Sequence, residues 1–295
     1  MNLSISTAED IAASRAYLLQ KGKECYRELP WRGDLSPWHI LLSEVMLQQT
    51  QVSRVAAIFP EWRKNYPTPS SFASRSVAEV LAAWSGLGYN RRALSLHKTS
   101  KILAETYRDI VPATEAELKT LPGIGPYTAG AILAFAFDIP SVFLETNIRA
   151  VFIRHFFEGA MKISDTELEA VGRALLDESQ PRVWYTALMD YGSWLKAHEL
   201  NFTRKAATYR PQTRFQGSER QLRGAILKAL LKSSLTSVEA LSSDLDADPA
   251  RLWICAEKLE KEGFIEIVQA EAEAGSSAPG SMLRAAFFRV PVSKN

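Results

Sequence analysis

The stretch LPGIGPYTAG, residues 121–130, is the part of the sequence that decides the fold. Gly123 and Gly125 allow backbone angles that other residues resist, and without side chains they let another backbone approach closely. The turn leads directly into a helix predicted over residues 127–137, whose free N–H groups would point at an incoming anion. The stretch therefore predicts two helices joined by a tight turn that holds one phosphate. An ordinary tight turn without a ligand is the alternative.

Apolar residues at helical spacing, separated by short Pro, Gly or Ser segments, predict an all-α region over the first 200 residues. Ser36 is expected to cap a helix whose first turn contains Pro37. Residues 127–137 are apolar on all sides, which is typical of a helix buried at a domain centre. The predicted helices cover residues 8–24, 37–48, 51–65, 76–84, 90–107, 115–119, 127–137, 146–157, 165–177 and 181–196.

The helical pattern fades between Lys196 and Arg223, where seven Lys and Arg residues accompany two acidic ones. After this segment we predict three short helices and then two strands around a flexible loop, GSSAPGS, which suggests a winged helix-turn-helix module. The helices cover residues 219–232, 236–244 and 249–262, the strands 264–269 and 284–290, and the loop 275–281. We therefore predict one domain over residues 1–215, which includes a basic connector at 196–215, and a winged-helix-like α+β domain over 216–295.

The composition is that of an ordinary globular chain, with 295 residues, 46% hydrophobic and 23% charged, and a net charge of +2. This length predicts about two domains. No run of about 18 apolar residues occurs, and the first residues lack the order of a signal peptide, so we expect no membrane association. Cys25 and Cys255 lie far apart in the sequence, which argues against a disulfide framework and a local metal cluster. We expect a reducing, cytoplasmic location.

Glu44 lies in the apolar helical segment HILLSEVMLQ, residues 39–48. A carboxyl group among apolar side chains loses solvation, so its pKa rises and it can serve as a proton donor. The alternative for Glu44 is a surface position on an amphipathic helix.

Four motifs in matching order carry a resemblance to a known family. They are LPWR (29–32), SEVMLQQTQV (43–52), GLGY (86–89) and the turn at 121–130. They resemble the helix-hairpin-helix DNA glycosylase superfamily that includes endonuclease III, and most of all the adenine DNA glycosylases that act on adenine opposite 8-oxoguanine or guanine. The resemblance covers about residues 25–195. It implies an all-α domain that flips a base out of duplex DNA and hydrolyses its N-glycosidic bond.

The resemblance assigns catalytic roles to three residues. Glu44 matches the glutamate that protonates adenine at N7, and Tyr127 matches a tyrosine that assists it. A lysine at that second position marks the endonuclease III-like enzymes that form a Schiff base and nick the strand. Tyr127 therefore implies a monofunctional glycosylase. N-glycosidic cleavage also needs negative charge near the oxocarbenium-like sugar, and Glu145 is at the position of the aspartate that supplies it.

The segment around Glu145 departs from the family pattern, because Leu-Glu-Thr-Asn (144–147) replaces Val/Leu-Asp-x-Asn. The glutamate keeps the charge but adds a methylene, which shifts the oxygens by roughly an ångström and can reduce the rate on the order of a hundredfold. Three outcomes are open: an adjusted pocket, which we favour, a changed substrate, or a weakened site. Asp138, outside the motif, is interpreted as a helix-end residue.

Other residues match positions that line the flipped base or contact the DNA. The base pocket is expected to contain Arg27, Leu29, Trp31 and Asp190, with core packing as the alternative for Leu29 and Trp31, and Arg32 is expected to be structural. Gln49 and Tyr89 match residues that enter the duplex beside the lesion. The expected DNA contacts are Gln48, Gln49, Tyr89, Leu121, Gly123, Gly125, Thr128 and Asn147. The resemblance also allows an alkali cation at residues 121–127.

Two usual features of the family are missing from the sequence. Most members carry four cysteines after the last core helix, which hold an iron–sulfur cluster, whereas residues 192–215 contain none and the chain has two. We therefore expect no cluster and no other metal. As a hypothesis, positive charge comes instead from Arg204, Lys205, Arg210 and Arg214.

The usual C-terminal domain that reads 8-oxoguanine is replaced by the winged-helix-like module. Residues 236–273 of this module contain three basic and ten acidic residues. This charge argues against major-groove reading by the expected recognition helix and favours protein contact or a structural cap.

These observations predict a monofunctional base excision repair glycosylase that excises adenine mispaired with 8-oxoguanine or guanine. We expect a monomer that binds double-stranded DNA with a mismatched or damaged base, located in the cytoplasm and associated with the nucleoid. One alternative is a glycosylase for another base, such as thymine in a T·G pair. The other is a lesion-binding protein with weakened chemistry.

Overall fold

A computed structural model describes residues 3–33, 36–211, 214–233, 235–269 and 286–291. The helices in these ranges are α1 (Ala8–Glu24), α2 (Pro37–Leu47), α3 (Val52–Asn65), α4 (Pro69–Ala73), α5 (Val77–Ala83), α6 (Arg91–Tyr107), α7 (Glu115–Leu118), α8 (Pro126–Phe137), α9 (Thr146–Phe156), α10 (Asp165–Leu175), α11 (Pro181–His198), α12 (Glu219–Leu230), α13 (Val238–Leu245) and α14 (Pro249–Lys261). A 3-10 helix covers Phe202–Lys205. The strands are β1 (Thr236–Ser237), β2 (Glu266–Gln269) and β3 (Ala286–Arg289).

The predicted all-α region and the small α+β module are confirmed, and each predicted helix and strand is present, to within two residues at every end that falls in the described ranges. The pattern did not predict α4, the 3-10 helix or β1, because elements of five residues or fewer carry little readable period. Ser36 occupies the N-cap position of α2 and Pro37 begins the helix, as predicted, but the Ser36 side chain makes no capping hydrogen bond. Residues 275–281 lie outside the described residues.

The chain divides into two compact units, and each unit joins segments that are distant in sequence. The first contains Met1–Gln48, Val55–Pro67 and Ile110–Pro211, and the second contains Gln49–Arg54, Thr68–Asp109 and Gln212–Asn295. The predicted domain boundary after residue 215 stays a prediction. Among the described residues, no helix is both long and apolar enough to cross a membrane.

Helix α11 organises the first unit, because it packs against both α1 and α9. Both approaches depend on glycine. A Cβ atom on Gly22 would lie 2.3 Å from the Cα atom of Ala187, and one on Gly192 would lie 2.2 Å from the carbonyl oxygen of Asn147. Gly192 therefore lets α11 touch the first turn of α9 directly. Helix α8 lies deep in this unit, with Ala129, Ala131 and Ile132 fully buried, as its apolar sequence predicts.

The basic connector is anchored in the fold by a few buried residues, Phe202, Thr203 and Ala206. Phe202 and Thr203 are buried, and the Arg154 guanidinium lies 5.7 Å from the centre of the Phe202 ring. Ala206 forms a parallel bridge with Ile163. Arg204, Arg210 and Arg214 are exposed, and Lys205 is half-buried. A few apolar and polar side chains of the connector are thus buried in the fold, while its arginines are exposed.

The C-terminal module of the second unit combines α12, α13 and α14 with a three-stranded antiparallel sheet. The strand order is β1-β3-β2, and Phe288 in the central strand faces Thr236 on one side and Ile267 on the other. Phe288, Phe264 and Leu259 are fully buried, so sheet and helices share one core. Helices followed by a small sheet are the arrangement that the winged-helix interpretation requires.

Within the second unit, Glu262 joins the C-terminal module to the start of α6. Its carboxylate accepts two hydrogen bonds from Arg91, at 2.7 and 2.6 Å, and two from Arg223, at 3.1 and 2.6 Å. Hydrogen bonding to Arg91, followed by that to Arg223, lowers the pKa of Glu262 to about 2. We call this group, Arg91, Glu262 and Arg223, the clasp.

The clasp predicts a pH-dependent contribution to stability. A carboxyl group with a lowered folded-state pKa stabilises the fold above its ordinary value of 4.5, and the contribution is lost as the pH falls toward 2. Glu262→Gln should lower the free energy of unfolding by about 2 kcal/mol at pH 7. Urea unfolding followed by circular dichroism between pH 2 and 7 measures this.

The matched control for this prediction is Glu266→Gln, since Glu266 pairs with Arg289 at 2.6 Å on the surface. Surface pairs contribute about 0–1 kcal/mol, so this variant should lose much less. Equal losses in the two variants at pH 7 would contradict the role given to Glu262.

Candidate active site

The centre of the candidate site is a hydrogen bond between two neighbouring helices. Helix α2 packs against α8. Glu44, in the middle of α2, is 5% exposed, and its Oε2 atom accepts a hydrogen bond from the Tyr127 hydroxyl at 3.1 Å. Tyr127 stands in the first turn of α8, directly after Gly125 and Pro126, so the tight turn at 121–125 fixes where the phenol points. The surface alternative for Glu44 is therefore wrong.

Glu145 is the second carboxylate of the site and precedes the first residue of α9. Its side chain caps that helix by accepting the backbone N–H of Asn147. Burial raises the pKa of Glu145, whereas the amide groups of Asn147, Thr146 and Ile148 lower it and limit the rise. The start of α9 thus holds this carboxylate by hydrogen bonds to its charged form.

The surroundings of Glu44 favour its protonated form near neutral pH. Burial among apolar side chains raises the pKa of Glu44 to about 7, the hydrogen bond from Tyr127 lowers it, and the charge of Glu145 raises it. Burial also raises the pKa of the Tyr127 hydroxyl well above its ordinary value, and both carboxylates add to that rise. The site therefore combines a proton donor, a neutral phenol and a carboxylate. The proton donor and the carboxylate are the pair of groups that cleavage of a glycosidic bond uses.

The contact of Gly192, in α11, with Asn147 supports the position of the Glu145 carboxylate at the start of α9. Since the first turn of α9 presses on α11 at Gly192, the amide that Glu145 accepts from has a fixed position. No pattern in the sequence indicates this contact, because a glycine in an amphipathic helix has many explanations.

Gln48 and Thr128 lie next to the centre of the site. The Gln48 side-chain amide donates to the Thr128 hydroxyl at 3.1 Å, which ties the end of α2 to the first turn of α8. Leu121 is buried, and Gly123 has a φ of +81°, a left-handed conformation that favours glycine. Gly125 precedes α8 with no side chain to cap it, so the turn has the geometry that the phosphate prediction needs.

Asp190 and Arg27 meet in an ion cluster together with Arg32. Asp190 is buried, and its carboxylate accepts from the Nε atom of Arg27 at 2.7 Å and from Nη1 and Nη2 of Arg32 at 2.6 and 2.8 Å. These bonds give Arg32 the structural role expected from the sequence. Contact of Asp190 with a base stays a prediction, and it requires this cluster to open because the Asp190 side chain is fully buried.

Leu29 and Trp31 occupy half-buried and buried positions. The Trp31 ring packs edge-to-face against Phe59 with centroids 5.8 Å apart, so it is part of the core, and its contact with a base stays a prediction. Asp138 ends α8 in a left-handed conformation, as its helix-end interpretation requires, and accepts the backbone N–H of Arg182 at 2.9 Å.

Gln49 and Tyr89 belong to the second unit. Both have positive φ angles, +53° and +48°, which are uncommon outside glycine and often mark functional positions. Gly86 and Gly88 also have positive φ, and the Arg92 guanidinium donates to the carbonyls of Leu87 and Gly88 at 3.1 and 2.9 Å. The GLGY motif (86–89) is therefore a tightly held loop.

The comparisons with known proteins place these features in a family. Residues 42–174 match the profile of the "HhH-GPD superfamily base excision DNA repair protein". An adenine DNA glycosylase of Mycolicibacterium smegmatis is 36% identical over 260 residues, which cover 81% of this chain and 88% of that protein. The chain belongs to the HhH-GPD superfamily. It is accordingly a DNA N-glycosylase, and the resemblance drawn from its motifs is confirmed.

Further members of the family extend the comparison. An adenine DNA glycosylase of Mycobacterium tuberculosis H37Rv is 35% identical over 234 residues, which cover 72% of this chain and 77% of that protein. Among solved structures, a thermostable thymine-DNA glycosylase aligns with a TM-score of 0.57 at 22% identity, covering 64% of this chain and 88% of that one. Endonuclease III trapped as a covalent intermediate with DNA aligns at 0.54 and 20% identity, with 64% and 87% covered. These structures share the helix-hairpin-helix glycosylase fold.

The residues of this glycosylase do not fit the iron–sulfur cluster of other family members. Cys25 ends α1 in the first unit and Cys255 is buried in α14 of the second. Four thiolates are needed and the chain has two cysteines. Among the described residues, no group of three His, Cys, Asp or Glu side chains is placed to hold a metal ion. The absence of any cofactor stays a prediction, as does the alkali cation at residues 121–127.

The buried proton donor predicts an unusual effect on the stability of this glycosylase. A carboxyl group with a raised folded-state pKa stabilises the fold below its ordinary value of 4.5, and that stability is lost as the pH rises through about 7. Glu44→Gln keeps the hydrogen bond without the charge. Its free energy of unfolding should therefore rise relative to that of the unsubstituted protein by about 3 kcal/mol between pH 4.5 and 7.5.

Urea unfolding at half-unit pH intervals measures the difference, with Glu28→Gln, at an exposed glutamate, as the control. A difference between Glu44→Gln and the unsubstituted protein that stays constant with pH would contradict the raised pKa.

Proposed function

We propose that the protein is a monofunctional adenine DNA glycosylase that flips adenine out of a mispair with 8-oxoguanine or guanine and hydrolyses its N-glycosidic bond. The observation that carries the proposal is the buried Glu44 carboxyl, bonded to Tyr127 at 3.1 Å and protonated up to a pH of about 7. Relatives of the same family in mycobacteria and mammals are adenine DNA glycosylases, which supports adenine as the excised base.

Cleavage begins when Glu44 gives its proton to N7 of the extruded adenine. The bond between C1′ and N9 then breaks, and its electron pair goes to the base, which leaves neutral. The sugar becomes an oxocarbenium-like cation, which the carboxylate of Glu145 stabilises. Water adds to C1′ and returns its proton to Glu44, leaving an abasic site. Tyr127 offers no amine for a Schiff base, so the strand is not cut.

The hydrogen bonds of Glu145 support the adjusted pocket over the weakened site. The longer side chain is anchored to the amides at the start of α9, which Gly192 holds from behind, and this fixes where its oxygens lie. The hydrogen bonds from these backbone amides therefore hold the longer Glu145 side chain in one position.

In this proposal, several features of the chain contact duplex DNA. The uncapped turn before α8 binds one backbone phosphate, which positions the protein without reading sequence. The exposed arginines of the connector, Arg204, Arg210 and Arg214, add phosphate contacts that raise affinity at low salt. Gln49 and Tyr89 enter the duplex beside the extruded base. The protein acts as a monomer, and its acidic C-terminal module is available for protein contacts.

One experiment decides which base is excised. Duplexes with A·8-oxoguanine, A·G, T·G and U·G are incubated with excess protein, and abasic sites are then cleaved with alkali. We expect product from the two adenine duplexes and none before alkali, and Glu44→Gln should abolish it. Product only from T·G or U·G would contradict adenine as the substrate, and binding without product would contradict an active enzyme.

The raised pKa of Glu44 predicts the pH profile of the reaction. Because Glu44 acts in its protonated form, the single-turnover rate should be level below a pH of about 7 and fall about tenfold per pH unit above it. The measurement is the rate at saturating protein from pH 5.5 to 9. A rate that rises through pH 7 would contradict a general acid at this position.

The glutamate at position 145, where the family has an aspartate, predicts how a substitution there changes the single-turnover rate. Since the start of α9 is fixed around a glutamate, Glu145→Asp should draw the carboxylate back and lower the single-turnover rate on the order of a hundredfold. Glu145→Gln, which keeps the length and removes the charge, is the matched control and should lower it at least as much. An increase in rate for Glu145→Asp would indicate a weakened site instead.

A further inference from the structure

Tyr89 is held by a residue of the C-terminal module. The phenol oxygen of Tyr89 accepts a hydrogen bond from the Nη1 atom of Arg220 at 2.7 Å. Arg220 is in the first turn of α12, and both residues belong to the second unit. Tyr89 ends the GLGY motif in a left-handed backbone conformation, which a tyrosine adopts only when its surroundings impose it. The loop and the C-terminal module therefore fix this side chain together.

The distances place Arg220 at the hydroxyl end of the Tyr89 ring. Its guanidinium carbon lies 5.7 Å from the ring centroid while its nitrogen bonds to the hydroxyl. The contact thus fixes the direction in which the phenol points. Phe215, 61% exposed, lies beside the same guanidinium at 5.9 Å, so aromatic surface flanks this contact.

The clasp is a second connection between the segment that contains Tyr89 and helix α12. Arg91 follows Tyr89 by two residues, and Arg223 follows Arg220 by three, one turn further along α12. Glu262 bridges Arg91 and Arg223 through four hydrogen bonds of 2.6 to 3.1 Å. Helix α12 therefore cannot shift relative to the loop without breaking ion pairs. Arg220 consequently has a fixed position from which to hold Tyr89.

We propose that Arg220 is a positioning residue for base extrusion, which holds Tyr89 in the orientation in which it enters the duplex. The inference rests on the proposed function, in which Tyr89 enters beside the lesion, and it adds a role for the C-terminal module. A side chain that is oriented before binding loses less conformational freedom when it acts, so more of the binding energy is left for extrusion. The module thus acts on the substrate through Tyr89.

The test removes each end of the hydrogen bond separately. Arg220→Met keeps the aliphatic stem and removes the donor, Tyr89→Phe keeps the ring and removes the acceptor, and the double variant removes both. Arg220→Lys restores a donor. Lys228→Met, at an exposed lysine of the same helix, is the control for loss of one positive charge. Thermal unfolding of each variant checks that the module is folded.

Single-turnover excision is measured on two duplexes, one with adenine opposite 8-oxoguanine and one with adenine opposite an abasic-site analogue. Extrusion costs less when the base is already unpaired. Relative to the unsubstituted protein, Arg220→Met and Tyr89→Phe should each be about tenfold slower on the first duplex, which is the effect of one charge-assisted hydrogen bond. On the second duplex the loss should be below about twofold.

The double variant should be no slower than either single variant, Arg220→Lys should recover part of the rate, and Lys228→Met should match the unsubstituted protein. Equal losses on the two duplexes would show a general structural effect and overturn the proposal. Multiplied losses in the double variant, or no loss in Arg220→Met, would also overturn it.

A fluorescence measurement separates failure of this inference from failure of the proposed function. The target adenine is replaced by 2-aminopurine, whose emission rises when it leaves the stack, and all proteins carry Glu44→Gln so that extrusion is observed without cleavage. Arg220→Met should reduce the emission change, and an unchanged signal would overturn the proposal. If the unsubstituted protein cleaves no adenine duplex, the proposed function fails while this signal still decides on Arg220.

Discussion

The hydrogen bond between Glu44 and Tyr127 is the interaction on which the chemistry of this protein depends. It requires a carboxyl group in the middle of α2, a phenol in the first turn of α8 and close packing of the two helices. Each of these has a cause in the sequence. The apolar neighbours of Glu44 bury it, and the turn at 121–125 starts α8 at the residue before Tyr127. With a pKa of about 7, a substantial fraction of this carboxyl group stays protonated near neutral pH.

The same arrangement explains why the surrounding scaffold is so closely packed. A buried acid whose pKa is raised to about 7 disfavours the folded state at neutral pH, so other contacts must offset it. Glycines bring α11 within contact of α1 and α9, and the buried cluster of Asp190 with two arginines adds charge-assisted hydrogen bonds. In the second unit the clasp has a comparable role. The burial that makes Glu44 a proton donor therefore lowers stability at neutral pH, and packing elsewhere in the fold offsets this loss.

Much of this could be predicted from the sequence because it depends on local pattern. Helical periodicity gave the bounds of the long helices, and the apolar neighbours of Glu44 gave its burial and the direction of its pKa shift. The remainder depends on side chains distant in sequence. Arg220 meets Tyr89 across 131 residues, and Asp190 meets Arg27 across 163, so no motif spans either pair. Motif matching placed Asp190 and Arg27 in one pocket, but only the fold pairs them with each other.

The proposed chemistry depends on the protonation state of Glu44. Its carboxyl carbon can be followed by NMR between pH 4 and 9 in protein labelled with ¹³C-glutamate, with Glu44→Gln to identify the signal. We expect a titration midpoint near 7, the pKa that burial gives to Glu44. A midpoint near 4.5, the ordinary value for a glutamate, would mean that Glu44 is ionised throughout the working range and cannot be the proton donor.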